Sequence, residues 1–231
     1  MELGHARGWG LEYGSLMAEI EVQPDFVTAI ELAKQRGSLL SQSKLINLYM
    51  LLKFGLTDLG PGDVVEFGSY KGGSALFMAA VLRSTGTCRR VFALDTYEGM
   101  PNADPVRDLH QLGDFADADF NGFVEFTAAN GLEDWLIPVK GLFVDTVPDL
   151  FASTLKVVLA HIDCDIRESV KYAIGASKPR MTNGGYLVFD DPLHGSCLGA
   201  MQAIEETLLH EDRLFAEQMY PHPVYRYPPL P

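Results

Sequence analysis

The sequence predicts an α/β fold in which a mostly parallel β-sheet carries helices on both faces. From residue 62 onward, short apolar stretches of strand length alternate with segments of helix length. The strand candidates are continuous apolar runs, which are typical of strands buried on both faces of a parallel sheet. Ligands bind such sheets beyond the carboxyl ends of the strands, so we expect the functional residues at those ends.

The predicted elements follow one another in a regular order. Apolar runs predict strands at 64–68, 91–95, 136–141, 157–163 and 186–191, with a final edge strand in the tail 220–231. Composition and apolar spacing predict helices at 74–82, 120–129, 167–177 and 201–211. Residues 1–60 differ, because the segments 26–36 and 44–55 are amphipathic or largely apolar. We expect residues 1–60 to form an N-terminal helical cap on a domain spanning 61–231, within a single-domain protein.

Composition excludes several classes of partner. The 231 residues carry a net charge of −13 and no run of Lys or Arg, which argues against nucleic acid. No apolar run approaches the ~18 residues needed to cross a bilayer. The first ten residues, MELGHARGWG, lack the basic start and apolar stretch of a signal peptide. We therefore expect a cytoplasmic protein that binds neither nucleic acid nor a membrane.

The three cysteines are Cys88, Cys164 and Cys197. Their odd number and the absence of a CxxC spacing argue against a disulfide framework and against a thiolate zinc site. A cysteine nucleophile is not indicated either, because no base is spaced to activate one.

A glycine-rich turn follows the first predicted strand, in VVEFGSYKGGSA. Its spacing matches neither the dinucleotide fingerprint nor a P-loop. Glu66, two residues before Gly68, argues against a bound phosphate and favours a ligand with an ammonium group, such as S-adenosyl-L-methionine (SAM). Asp95 ends the next strand, where a carboxylate can accept ribose hydroxyls. The alternative is that both acids are solvated residues at strand ends.

Three further carboxylates close the last two predicted parallel strands, namely Asp163, Asp190 and Asp191. Neighbouring strand ends lie only about 5 Å apart, so these groups can converge. Like charges in one cleft repel unless a cation neutralises them, and oxygen ligands suit Mg²⁺ or Ca²⁺. The alternative is use in turns and helix caps. Asp165, just before the predicted helix 167–177, is expected to cap it.

The chain resembles the macrocin O-methyltransferase (TylF-type) family, the sugar O-methyltransferases of antibiotic biosynthesis. The resemblance covers residues 62–206 and rests on VVEFGSYKGGS, FALDTYEGMP, VKGLFVDTVPDL, HIDCDIRES and GGYLVFDDP, in the family's order. It implies the Rossmann-like sheet of class I methyltransferases. It also implies a SAM-dependent O-methyltransferase, Mg²⁺-assisted, that acts on a hydroxyl of a sugar or another small natural product.

The resemblance also implies site residues. For SAM these are Glu66, Gly68, Ser74, Asp95, Gly141 and Phe143, and we assign Ser69, Tyr70, Gly72, Thr96 and Asp163 to the same site. For Mg²⁺ they are Asp163, Asp190 and Asp191, with Asp163 also the general base. The loop 96–119, rich in Asp, Gly, Pro and Asn, would help to close the pocket.

Two histidines lie near these aspartates. His194 follows the aspartate pair on a loop and is a second candidate catalytic residue. His161 shares a strand face with Asp163, so it forms either a His–Asp relay or part of the core.

The chain also departs from the family at Arg167, Pro192 and Met201, where the family carries two aromatic residues and an arginine. These changes leave the predicted metal ligands intact and make the acceptor uncertain.

Two other functions stay open at this point. One is a metal-dependent oxidoreductase or hydroxylase-type enzyme on the same sheet. The other is a non-catalytic nucleotide-binding assembly protein, which the apolar segment 44–55 would support. We expect a homo-oligomer, a dimer or larger, in either case.

Overall fold

A six-stranded sheet forms the centre of the computed structural model, which describes residues 15–101, 103–152 and 155–229. The strand order is β3-β2-β1-β4-β5-β6. The first five strands are parallel, and β6 runs antiparallel to β5. The strands are β1 Asp63–Phe67, β2 Val91–Asp95, β3 Leu136–Lys140, β4 Val157–Ile162, β5 Met181–Phe189 and β6 Val224–Tyr227. The predicted mostly parallel sheet is therefore confirmed.

Helices cover both faces of this sheet. They are α1 Ser15–Glu21, α2 Pro24–Gln35, α3 Gln42–Met50, α4 Gly73–Ser84, α5 Phe120–Ala129, α6 Phe143–Ala152, α7 Arg167–Ser177 and α8 Leu198–Ile204. Two π-helical segments, Leu51–Gly55 and Glu205–Glu211, continue α3 and α8, and a 3₁₀ turn, Lys178–Arg180, follows α7.

Two elements differ from the sequence prediction. Helix α6 was not predicted, and it contains Pro148, a residue that costs about 3 kcal/mol in a helix interior. Buried Val147 and Phe151 hold the helix in place nonetheless. Strand β5 begins at Met181, earlier than the predicted 186. The prediction was late because the Gly-Gly pair before Tyr186 is typical of a turn. Here that pair is part of the strand instead.

The apolar core lies on both faces of the sheet. Val64 faces the layer built by α2, α3 and α4, whereas Val65 faces the layer built by α6, α7 and α8. In the first layer the ring of Phe26 packs edge-on against Tyr49 and Phe77, at 5.4 and 5.7 Å between ring centroids. The helices of residues 15–55 thus share one core with the sheet. Residues 1–14 of the predicted cap lie outside the described residues, and the division at residue 60 stays a prediction.

The order in which strands are added to the sheet switches sides between β1 and β4, which are parallel neighbours. Strands β2 and β3 extend the sheet to one side of β1, and β4 and β5 extend it to the other. Such a switch point opens a crevice at the carboxyl ends of the strands. Within the described ranges, no helix is long and apolar enough to cross a membrane.

Candidate active site

A cavity of about 830 Å³ lies at the carboxyl ends of the strands. Its wall includes the glycine turn after β1, the loop after β2, the start of α6 and the loops after β4 and β5. Most of the site residues predicted from the sequence line it: Gly68, Ser69, Tyr70, Ser74, Asp95, Thr96, Phe143, Asp163, Asp190, Asp191 and His194.

Three residues that the sequence assigned to the cofactor site are not in this wall. Glu66 is fully buried, and its Oε1 lies 3.0 Å from Nδ1 of His161 on the neighbouring strand. Gly72 has φ +83°, and a Cβ there would lie 2.1 Å from the Phe123 ring. Gly141 has φ +144° in the turn that follows β3. Backbone conformation and packing therefore account for glycine at positions 72 and 141, and the pairing with His161 accounts for the position of Glu66.

Gly68 brings the ends of β1 and β4 together. Its φ is +90°, and a Cβ would lie 1.8 Å from the backbone oxygen of Asp163. The amide of Asp163 in turn donates to the carbonyl of Phe67 at 2.9 Å. Glycine at this position therefore allows a close approach of two backbone segments, in addition to any approach of a ligand.

The carboxylate of Asp95 holds the glycine turn. Its Oδ2 accepts from the amides of Ser69 and Tyr70 at 2.9 and 2.8 Å, and its Oδ1 accepts from the amide of Tyr97 at 2.8 Å. Thr96 Oγ1 lies a longer 3.4 Å from Oδ1, and it donates to the carbonyl of Gly99 at 2.7 Å instead. Burial raises the pKa of Asp95 although these hydrogen bonds oppose the shift. Since a carboxylate offers about four acceptor positions, one ribose hydroxyl can bind without displacing an amide.

The three predicted metal ligands converge. Carboxylate oxygens of Asp163, Asp190 and Asp191 lie within 4.8 Å of one another. Asp163 and Asp190 are the first residues after β4 and β5, and both amides still continue the ladder. Burial, with the neighbouring negative charges, raises the pKa of Asp163 and of Asp191 well above the ordinary value. The cluster therefore favours either protons or a cation.

Asp190 already has cationic and polar partners. Lys44 Nζ, from α3, lies 2.7 Å from its Oδ2 and donates to its backbone oxygen at 3.0 Å. His222 Nε2 lies 3.2 Å from its Oδ1. Burial alone would raise the pKa of Asp190, but the His222 hydrogen bond and the Lys44 charge outweigh burial and lower it. Asp190 is therefore the ionised member of the cluster.

Hydrogen bonds from Gln218 to Asn47 and from Asn47 to His222 orient the His222 ring. Gln218 Nε2 donates to Oδ1 of Asn47 at 2.9 Å, which turns the amide nitrogen of Asn47 toward Nδ1 of His222 at 3.0 Å. Nδ1 then accepts, and Nε2–H is left to donate to Asp190. Burial lowers the pKa of His222 to about 4, which agrees with a neutral ring. Sequence reasoning missed Lys44 and His222, because they lie 146 and 32 residues from Asp190.

His161 belongs to the core. It is fully buried, pairs with Glu66 and packs edge-on against the His222 ring at 5.6 Å between centroids. Of the two roles left open by the sequence, the buried one applies, and its carboxylate partner is Glu66 rather than Asp163.

Asp165 does not cap α7. The N-cap residue is Ile166, which makes no side-chain capping hydrogen bond. Asp165 has φ +58°, and its carboxylate points to His110 Nε2 at 3.3 Å and to Cys197 Sγ at 3.4 Å. The expectation of a helix cap is therefore wrong, because two side chains from distant segments compete for this carboxylate.

The loop 96–119, called the lid below, contributes four residues to the cavity wall: Met100, Pro101, His110 and Phe115. It is attached to the glycine turn by Asp117, which accepts from Tyr70 Oη and Lys71 Nζ, each at 2.6 Å. His194 is exposed, and its Nδ1 lies 2.6 Å from Ser196 Oγ. Its position on the wall is compatible with contact to an acceptor, and its catalytic role stays a prediction.

Residues 31–212 match the family described as macrocin O-methyltransferase (TylF). One relative, the 8-demethyl-8-(2,3-dimethoxy-alpha-L-rhamnosyl)-tetracenomycin-C 4'-O-methyltransferase of Streptomyces olivaceus, is 34% identical over 169 residues. That alignment covers 68% of this chain and 63% of the relative, so the chain spans less than two thirds of the relative's length.

Solved structures share the fold. The crystal structure of CalS11, calicheamicin methyltransferase, matches with a TM-score of 0.69 at 22% identity and covers 90% of this chain and 94% of its own. The O-methyltransferase of Bacillus cereus in complex with SAH matches with a TM-score of 0.57 at 15% identity, covering 87% and 88% of the two chains. At these identities the likeness establishes the fold alone.

Proposed function

Because the chain belongs to the macrocin O-methyltransferase (TylF) family, we propose that it is a SAM-dependent O-methyltransferase acting on a sugar or another small natural product. The observation that carries the proposal is that one cavity contains both the glycine turn after β1 and the carboxylates after β4 and β5. The rhamnosyl group in the relative's name supports a sugar-bearing acceptor.

The cavity fits a cofactor together with a small acceptor. Its volume of about 830 Å³ lies within the range of about 300–1,000 Å³ typical of ligand sites. We assign the turn 68–70 and Ser74 to the amino-acid part of SAM, Asp95 to one ribose hydroxyl and Phe143 to the adenine. SAM supplies a methyl group on a sulfonium, whose departure as a thioether needs no proton.

The three clustered carboxylates fit a hard divalent ion such as Mg²⁺. Their oxygens are the ligands that Mg²⁺ prefers, and a cation would offset the burial and the mutual repulsion that raise the pKa of Asp163 and Asp191. Such an ion would lower the pKa of a coordinated hydroxyl and orient it. Lys44 already neutralises part of this charge at Asp190, so the ion would share that carboxylate with an ammonium group.

We assign proton removal to Asp163. Its carboxylate lies in the wall of the cavity, beside those of Asp190 and Asp191, where a general base for a bound hydroxyl is needed. Asp163 would take the hydroxyl proton of the acceptor, whose oxygen would receive the methyl group, and bound SAM would leave as the neutral thioether, with the electrons of the carbon–sulfur bond on sulfur. His222 and Lys44 fix the neighbouring Asp190, and the lid residues Met100 and Phe115 exclude water from this side of the cavity.

The test is methyl transfer from labelled SAM to a panel of deoxysugar-bearing acceptors, with Mg²⁺ and with excess EDTA. We expect transfer that EDTA suppresses. Asp163→Asn should lower kcat by about 10²–10⁴-fold through loss of the base. Asp190→Asn should remove the stimulation by Mg²⁺ and leave the affinity for SAM unchanged. Asp149→Asn, an exposed change on α6, is the matched control and should behave as the original protein.

Two outcomes would contradict the proposal or part of it. Binding of SAM without transfer to any acceptor would favour the non-catalytic nucleotide-binding protein. Equal activity in EDTA would remove the metal from the mechanism. Nothing in the described ranges favours an oxidoreductase.

We also propose a homo-oligomer, supported by Phe54, a side chain of the apolar segment 44–55 that is 61% exposed.

A further inference from the structure

A second cluster of potential metal ligands lies in the cavity wall, apart from the three carboxylates assigned to Mg²⁺. It consists of His110 from the lid, Asp165 from the loop after β4 and Cys197 from the loop before α8. These residues are far apart in the sequence, which explains why cysteine spacing gave no sign of them. We propose that His110, Asp165 and Cys197 form a binding site for a borderline-soft divalent ion, Zn²⁺ in particular, that joins the lid to the strand ends.

The distances among the three ligand atoms agree with a tetrahedral zinc site. Bond lengths of about 2.0 Å to N and O and about 2.3 Å to S give tetrahedral edges of about 3.3 Å for N···O and about 3.5 Å for S···N and S···O. The observed distances are 3.3 Å from His110 Nε2 to Asp165 Oδ1, 3.6 Å from Cys197 Sγ to His110 Nε2 and 3.4 Å from Cys197 Sγ to Asp165 Oδ1. The three ligand atoms therefore already have the mutual spacing of a tetrahedral site.

The second ring nitrogen of His110, Nδ1, also has a carboxylate nearby. Nδ1 of His110 lies 3.4 Å from a carboxylate oxygen of Asp114. Histidines that bind a metal through one nitrogen usually donate from the other to a carboxylate or carbonyl, which fixes the ring and strengthens it as a ligand. Asp114 lies at ion-pair distance on that side of the ring, four residues further along the lid.

The backbone around His110 is held in place independently of the cluster. The amide of Leu109 donates to the carbonyl of Ser196 at 3.2 Å, and the amide of Gly199 donates to the carbonyl of Arg107 at 3.1 Å. Buried Asp108 accepts from the amide of Arg167 at 3.2 Å. This part of the lid is therefore docked next to Cys197 and Asp165 before any ion binds, so little ordering is needed on binding.

The ligand chemistry selects the ion. A thiolate and an imidazole favour Zn²⁺, Co²⁺ or similar ions over Mg²⁺, which prefers oxygen. All three residues line the cavity, so the fourth position is open to water or to an oxygen of a molecule in the cavity. The two cation sites would thus differ in the ion that they take, although the amide of Asp165 donates to Asp191 at 2.7 Å and joins them.

The experiment is a titration of metal-free, tag-free protein with Co²⁺, followed by displacement with Zn²⁺. We expect one equivalent of Co²⁺ with intense tetrahedral d–d bands and a thiolate-to-metal charge-transfer band, both lost on adding Zn²⁺ and unaffected by excess Mg²⁺. Cys197→Ser should abolish the charge-transfer band. His110→Gln should weaken Zn²⁺ binding at least about 100-fold, and Asp114→Asn about 10-fold.

Three controls distinguish the site from other sources of metal binding. Cys88→Ser and His210→Ala, exposed changes outside the cluster, should leave the spectrum intact. Asp163→Asn should leave it intact as well, because Asp163 is not one of the three ligands. Circular dichroism of each variant establishes that it is folded. Absence of Co²⁺ and Zn²⁺ binding, weak octahedral bands, or an unchanged spectrum in Cys197→Ser would each overturn the proposal.

A consequence for the lid provides a second measurement. Zn²⁺ bound through His110 would hold the lid against Asp165 and Cys197. Amide hydrogen exchange in residues 103–118 should therefore slow when Zn²⁺ is added. The same addition to His110→Gln should leave exchange in this segment unchanged. Equal slowing in both proteins would contradict a role for His110 in joining the lid.

Discussion

At the scale of single residues, glycines at similar backbone angles have different reasons to be glycine. Gly68 and Gly86 both have φ in the left-handed region, +90° and +69°. A Cβ at Gly68 would collide with the backbone of Asp163, whereas nothing lies within 4 Å of a Cβ at Gly86. Gly175, within α7, has neither constraint.

These differences predict the outcome of three alanine substitutions. Gly68→Ala should reduce the free energy of unfolding by at least about 4 kcal/mol, because backbone atoms must move. Gly86→Ala should cost only about 1–2 kcal/mol, the penalty of the left-handed conformation. Gly175→Ala should stabilise by about 0.5–1 kcal/mol. Urea denaturation measures all three, and equal losses for the first two would contradict the role of Gly68.

At the scale of elements, one carboxylate connects the helices on the first face of the sheet. Asp25 of α2 accepts from Tyr49 Oη of α3 at 2.9 Å, from Lys53 Nζ of the π-helical segment at 2.6 Å and from Ser84 Oγ of α4 at 3.2 Å. Burial would raise the pKa of Asp25, but these hydrogen bonds outweigh it, so the pKa lies below 3.8.

The lowered pKa of Asp25 predicts a pH dependence of stability. A carboxyl group that ionises more readily in the folded state contributes stability above its unfolded pKa, and this contribution is lost as the pH falls through the folded pKa. At pH 7, Asp25→Asn should therefore cost about 1 kcal/mol. The difference from the original protein should shrink below about pH 4. Exposed Asp58→Asn is the control, and a difference that does not change between pH 7 and pH 3 would contradict the assignment.

The elements themselves were largely predictable from the sequence. Strands buried on both faces are continuous apolar runs, so β1, β2 and β4 were found within one residue at each end. Helix α6 was not predicted because Pro148 is a strong local signal against a helix. The burial of Phe151, which stabilises this helix, is a tertiary effect that the local sequence does not show.

The site was predictable only in part, for the same reason. Asp163, Asp190 and Asp191 follow parallel strands, and the fold class alone brings such ends together. Lys44, His110 and His222 reach the site from other elements, and no spacing in the sequence encodes their contacts. Arg167, one departure from the family, pairs with Glu206 at 2.6 and 2.7 Å.

At the scale of the whole molecule, a ligand that binds only the folded state raises the melting temperature. SAH at 100 times its Kd should contribute about 2.7 kcal/mol of stability. For a protein of this size that corresponds to a rise of about 5–10 °C. NAD at the same concentration should give no rise. A thermal shift assay distinguishes the two, and a shift with NAD alone would contradict the proposed cofactor.

The buried pair of Glu66 and His161 has a consequence for how the molecule folds. The two residues face each other across β1 and β4 and are 95 residues apart in the chain, so the pairing of these strands is a long-range contact, a kind that slows folding. Slippage by one residue would set Glu66 against Ala160 or Ile162 and leave a buried carboxylate without its partner, at a cost of about 3–5 kcal/mol. Apolar strands alone would tolerate several alignments. This polar pair therefore favours the one alignment of β1 and β4 that places Gly68 next to Asp163.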